Sequence, residues 1–136
     1  MHPVRLTLSL IASAAGLAAC SEGVAPRDVA GTYTLQTVNG SPVPLSGVNV
    51  LVSGRITLTA FGGAERRANY RVAADGTVRE FVASGTFLVQ GSMVELALRE
   101  DSHIWRPRAE LASGTLALTY PHPADGPDIV EVYERQ

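Results

Sequence analysis

The sequence predicts an all-β fold: eight antiparallel strands in up-and-down order, closed into a barrel over residues 31–136 and preceded by an apolar, helical N-terminal segment. Three observations predict it. Apolar and polar residues alternate with period two in eight consecutive segments, as strands with one buried face require. Turn pairs such as Asn39-Gly40, Asp75-Gly76, Gln90-Gly91 and Ser113-Gly114 separate the segments, so sequence neighbours pair as hairpins. The outward rows are rich in Thr, Arg and Glu, which suits a barrel in water and not one that spans a bilayer. Eight such strands can close and leave no exposed edge.

The first strand places Tyr33, Leu35 and Thr37 on one face, and Asn39-Gly40 supplies two residues that tolerate positive φ for a tight turn. Pro42 and Pro44 then lack backbone donors and mark a rim segment. Residues 48–60 read as one long strand with Val48, Val50, Val52, Gly54, Ile56 and Leu58 inward and Leu51 as the exception. Gly54 is expected at an inward bend, and Gly85 repeats the device between Phe81, Ala83, Phe87 and Val89. Residues 65–72 turn Tyr70 and Val72 inward, against Arg67, Asn69 and Arg71. Residues 92–99 follow with Val94, Leu96 and Leu98. In residues 103–111 the pattern weakens, because Ile104 and Trp105 compete for the inside and Pro107 interrupts pairing. Residues 115–120 turn Leu116, Leu118 and Tyr120 inward, and residues 128–135 close the chain with Val130 and Val132 as the expected inward pair. Closure requires this last strand to lie beside residues 31–38. Arg135 is then expected to come close to Thr32 or Tyr33, and a cation–π contact over the Tyr33 ring needs a bulge if Val130 and Val132 face inward.

The N-terminus lies outside that domain. Arg5 follows four residues from Met1, and residues 6–19 are an apolar run too short to span a membrane but suited to a signal peptide. Leu17-Ala18-Ala19-Cys20 resembles the lipobox of bacterial lipoproteins, in which the Cys is diacylated and the signal is cut before it. The resemblance implies a signal peptide at residues 1–19, lipidation at Cys20 and a membrane partner for the mature chain. Two acyl chains anchor stably where one is marginal. Cys20 is the chain's single cysteine, so no intramolecular disulfide forms. Residues 20–30, with Pro26, read as a flexible tether. Ser21 is not the Asp that resembles an inner-membrane retention signal, so the expected location is the bacterial envelope, at the outer membrane in preference to the inner one. The formal net charge is −2 and every basic residue is Arg. A mildly acidic domain has no electrostatic reason to bind nucleic acid.

The phrase Gly31-Thr32-Tyr33-Thr34-Leu35-Gln36-Thr37-Val38-Asn39-Gly40 resembles the first strand of small lipocalin-like bacterial lipoproteins. Gly85-Thr86-Phe87, Gly91-Ser92-Met93-Val94-Glu95-Leu96 and Val132-Tyr133-Glu134-Arg135 fit the same type. The resemblance implies a barrel on the periplasmic or outer surface.

The chain shows no catalytic motif, metal site or cofactor signature, so an enzyme is not expected. His103 and His122 have no partners at ligand spacing and read as solvated or singly hydrogen-bonded imidazoles. Arg66, Arg67 and Arg71, and also Arg106 and Arg108, are assigned mostly to the outer face. Trp105 fits core or barrel-floor packing better than ligand stacking. Two functions stay open. In one, the lumen binds a small apolar ligand, with Tyr33, Tyr70, Phe81, Phe87 and Tyr120 as candidate lining. In the other, the lumen is filled and the barrel is a structural, interaction or inhibitor module contacting another envelope protein. A continuous cavity above about 300 Å³ would separate them.

Overall fold

The computed structural model describes residues 25–136. The proposed signal peptide and Cys20 lie outside the described residues. The strands are β1 (Gly31–Val38), β2 (Ser41–Pro42), β3 (Val50–Leu58), β4 (Gly63–Arg71), β5 (Val78–Gln90), β6 (Met93–Glu100), β7 (His103–Trp105), β8 (Arg108–Ala112), β9 (Thr115–Tyr120) and β10 (Ile129–Arg135). β7 and β8 both pair with β6 and form one stave interrupted at Pro107, while β2 is a two-residue return on β1. All pairings are antiparallel, and β10 pairs with both β9 and β1. The result is a closed, eight-stave, up-and-down barrel, the architecture expected from the alternation.

Local chemistry accounts for the connections. Asn39 and Gly40 have φ of 49° and 82°, the doubly positive geometry of a two-residue hairpin turn. Asn39 also ties the rim across the closure, since its N–H donates to the Val130 carbonyl at 2.8 Å and its side-chain oxygen accepts from the Val130 N–H at 2.9 Å. The Asp75 carboxylate accepts from both the N–H and the hydroxyl of Thr77, which fixes the β4–β5 turn.

β3 and β5 are each one unbroken strand, as the two glycine-containing rows predict. Gly54 is buried, and a Cβ there would meet the Arg67 carbonyl and the Leu35 side chain at 3.3–3.4 Å. Gly85 is in register with Ala64 and Leu98, whose side chains are both buried, although its own backbone stays exposed. A Cβ at Gly85 would stand 1.8 Å from the Ala97 carbonyl oxygen, so only glycine fits.

Three parities differ from the expected rows. The β3–β4 register shifts between Leu51 and Ser53, so Leu51 is buried upstream of the bulge while Val48 is exposed. A shift between Leu35 and Thr37 buries Val38 in place of Thr37. In β10 the inward residues are Glu131 and Tyr133, both fully buried, and not Val130 and Val132. Arg66 is inward as well, at 3% exposure, where the expected outer face would leave it solvated. The Ile104–Trp105 competition resolves with Trp105 partly buried and Ile104 exposed.

The barrel has a closed end and an open end. Below the open end Tyr33, Ile56, Leu58, Leu98, Leu116 and Leu118 form a dry core, each fully buried large side chain contributing roughly 1.5–3 kcal/mol. Part of the stretch read as a tether joins this core. Pro26–Val29 form one helical turn, Val29 is fully buried, and the Tyr33 hydroxyl donates to the Val29 carbonyl at 2.7 Å. Tyr33 stands opposite Arg135 in the β1–β10 register, and the Arg135 guanidinium lies 5.9 Å from the centre of the Tyr33 ring. No bulge is needed at Arg135, because Glu131, Tyr133 and Arg135 share one row.

Candidate functional site

The site begins with strand parity. β4 carries Arg66 on the row of Ala64 and Ala68, and β10 carries Glu131 on the row of Tyr133. The two rows face each other across the lumen, which brings together residues 65 positions apart. Arg66 Nη2 donates to both Glu131 carboxylate oxygens, at 2.7 and 3.1 Å. Arg66 Nε donates to the Tyr133 hydroxyl at 3.3 Å, and the Tyr133 hydroxyl donates to Glu131 at 2.6 Å. Both charged side chains are nearly inaccessible to water. An ion pair so placed loses much hydration, and the mutual attraction offsets the loss only when the remaining polar atoms are also satisfied. Tyr133 meets that need on both partners.

Above this network the barrel opens into a cavity of about 960 Å³. Its floor is Arg66 with Tyr70, its wall is Trp105 and Tyr120, and its rim carries Glu100, Asp101, His103, Arg106 and His122. A second cavity of about 320 Å³ shares Arg66, Tyr70 and Glu100 with the first and extends toward Phe81 and Val72. The aromatic rings brace one another. Trp105 and Tyr120 meet edge to face at 5.4 Å, as do Tyr70 and Phe81 at 5.4 Å. The Arg66 guanidinium lies 5.4 Å from the centre of the Trp105 ring, so cation–π attraction adds to the ion pair in holding the floor.

The electrostatics follow from burial. Burial pushes the Tyr120 hydroxyl well above the usual tyrosine range, and the neighbouring Glu131 charge adds to the shift. Burial raises Tyr133 too, with Arg66 opposing and Glu131 reinforcing. For Arg66 burial disfavours the charge, but Tyr133, Glu131 and Tyr70 outweigh it and push the pKa up. Near neutral pH Tyr120 and Tyr133 are therefore neutral hydroxyls beside a fixed guanidinium.

Of the candidate lining residues, Tyr70 and Tyr120 line the larger cavity, and Phe81 lines its extension. Tyr33 and Phe87 are packed away from the two, at 0% and 2% exposure. His103 and His122 are exposed at the rim, and His122 Nδ1 accepts one hydrogen bond from the Ala124 N–H at 3.0 Å. Among the described residues no three His, Cys, Asp or Glu side chains gather as a metal ion requires. Arg66 and Glu131 are the site residues that sequence reasoning misplaced, while Trp105 packs against the core, as expected, and also lines the cavity. A signal for the first two was present: each shares the period-two row of an inward tyrosine, Tyr70 and Tyr133.

No family model matches the chain, and no curated protein matches it significantly. Among solved structures the chain is similar to the wild-type fluorescent protein UnaG, at 12% identity and a TM-score of 0.44, over 79% of this chain and 96% of that one. The barrel assignment rests on this chain's own strand pairing.

Proposed function

We propose that the protein is a membrane-anchored envelope lipoprotein whose barrel binds one small, predominantly apolar molecule in the open-end cavity. The observation that carries the binding reading is the cavity. At about 960 Å³ it exceeds the roughly 300 Å³ at which small-molecule sites begin, and it is walled by aromatic rings beneath a rim of polar and charged side chains. Such a volume favours the binding reading over a filled-lumen module. The anchor belongs to the same reading and is supported by the sequence at Cys20, behind its lipobox and apolar run.

Trp105 is the chain's single tryptophan and stands in the cavity wall, which makes its fluorescence a direct reporter. Titration of the purified protein with the neutral probe N-phenyl-1-naphthylamine is expected to quench Trp105 saturably, at one probe per chain. A probe of about 17 heavy atoms at ~0.3 kcal/mol per atom gives a Kd of about 10⁻⁴ M or tighter. Quenching that never saturates, or its absence, would return the barrel to the filled-lumen, protein-contacting alternative.

A further inference from the structure

The guanidinium of Arg66 is only partly used by the protein. Nε and Nη2 are committed to Tyr133 and Glu131, and Nη2 also reaches the Tyr70 hydroxyl at a long 3.5 Å. Nη1 donates to no acceptor among the described residues. No fully buried side-chain donor or acceptor among those residues lacks a partner, so Nη1 is not sealed in the core. Arg66 lines both cavities, and the free end of its fork opens into them. A residue 3% exposed, pinned on one side and presenting a fixed donor on the other, is a pre-oriented contact for something entering the cavity.

The charge balance says what that contact is. Glu131 already neutralises Arg66 through two contacts, at 2.7 and 3.1 Å. Counting Glu131 with the cavity's charged lining, two guanidiniums face three carboxylates, so the cavity offers an anion no net attraction. A carboxylate brought to Arg66 would be desolvated beside Glu131 and would compete with it for the same fork. A cation would meet a fixed N–H donor of like charge. A neutral carbonyl or amide oxygen takes the donor without either cost, and Trp105 and Tyr120 offer stacking surface to its apolar body.

Resting on the reading of this cavity as a binding site, we propose that its ligand is an uncharged amphiphile: an apolar, aromatic-compatible body carrying one carbonyl-type acceptor seated on Nη1 of Arg66. The test is displacement of bound N-phenyl-1-naphthylamine by three probes on one skeleton: 2-acetonaphthone, 2-naphthoate and 2-ethylnaphthalene. The ketone is expected to displace at about tenfold lower concentration than the hydrocarbon or the carboxylate, as one hydrogen bond to a charged donor implies. In the paired variant Arg66→Leu with Glu131→Leu the ketone's advantage over the hydrocarbon disappears. That pair exchanges a buried ion pair for apolar volume, a replacement other folds accept. Glu131→Gln serves as a second variant, since it leaves the guanidinium uncompensated, and in it 2-naphthoate is expected to equal or overtake the ketone. Preference of the parent for the carboxylate, equal binding of ketone and hydrocarbon, or a ketone advantage that survives loss of Arg66 would each overturn the proposal while leaving the cavity a binding site. Failure of every probe to bind, N-phenyl-1-naphthylamine included, would instead remove the binding reading and this inference with it.

Discussion

Gly54 and Gly85 occupy comparable rows of two long strands, yet a methyl group would meet different surroundings at each. At Gly54 the nearest atoms stand at 3.3 and 3.4 Å, and one belongs to the Leu35 side chain, which can shift by a few tenths of an ångström. At Gly85 the obstacle is the Ala97 backbone carbonyl at 1.8 Å, part of the β5–β6 pairing, and it cannot move without opening the sheet. Gly85→Ala is therefore expected to destabilise by about 3 kcal/mol and Gly54→Ala by about 1 kcal/mol or less, measured as unfolding free energies in urea. Equal losses at the two positions would show that β5 relaxes at Gly85 and that the close approach is not a constraint. Both glycines were legible in the sequence as interruptions of an apolar row. Their difference was not, because it depends on which atom of the neighbouring strand lies opposite.

At the scale of the element, β10 shows why parity is harder to read than existence. Its limits follow from alternation and from the polar loop before it, and its pairing with β1 follows from closure. Which face turns inward does not follow, because Val130 and Val132 compete on hydrophobicity with Glu131 and Tyr133. The contest is decided across the lumen, by a guanidinium on β4 that a carboxylate on β10 can neutralise. The bulges in β1 and β3 pose the same difficulty, since an extra residue in a strand leaves no compositional trace. β10 thus carries two loads: it pairs with both β1 and β9, and it supplies the partner of a buried charge. Deleting residues 128–136 is expected to abolish the cooperative thermal transition, since it opens two strand edges and leaves Arg66 without its carboxylate. Retention of a cooperative melt by the truncated chain, followed by circular dichroism, would mean that the sheet does not need closure.

At the scale of the whole molecule, the two ends of the barrel differ in chemistry and in direction. The described chain enters at the closed end, where Val29 is buried, Gly31 pairs with Leu58, and Arg135 covers Tyr33. The turn after Leu58 is at the same end, and at its tip Phe61 is 99% exposed. The Gly62 carbonyl accepts from the Phe87 N–H at 2.9 Å, which sets the exposed Leu88 next to that turn. The cavity, with Trp105 in its wall, opens at the opposite end. With the proposed anchor at Cys20, a few residues before the closed end, Phe61 and Leu88 would face the bilayer and the cavity mouth would face the aqueous side. An apolar ligand would then be taken up from water or from another protein, and not directly from the supporting leaflet. β1 alone, eight residues long at about 3.3 Å each, separates the ends by roughly 20 Å once strand tilt is allowed for. In liposomes carrying the lipidated protein, Trp105 fluorescence is expected to be quenched by aqueous acrylamide and untouched by spin-labelled lipids. A tryptophan placed by Phe61→Trp in a Trp105→Phe background is expected to show the reverse. Lipid quenching of Trp105 would place the mouth on the membrane, and loss of membrane association must follow Cys20→Ala for the anchor itself to stand. Phe61→Asp, which removes apolar surface at the closed end without touching the cavity, is expected to leave N-phenyl-1-naphthylamine binding unchanged in the same Trp105 titration.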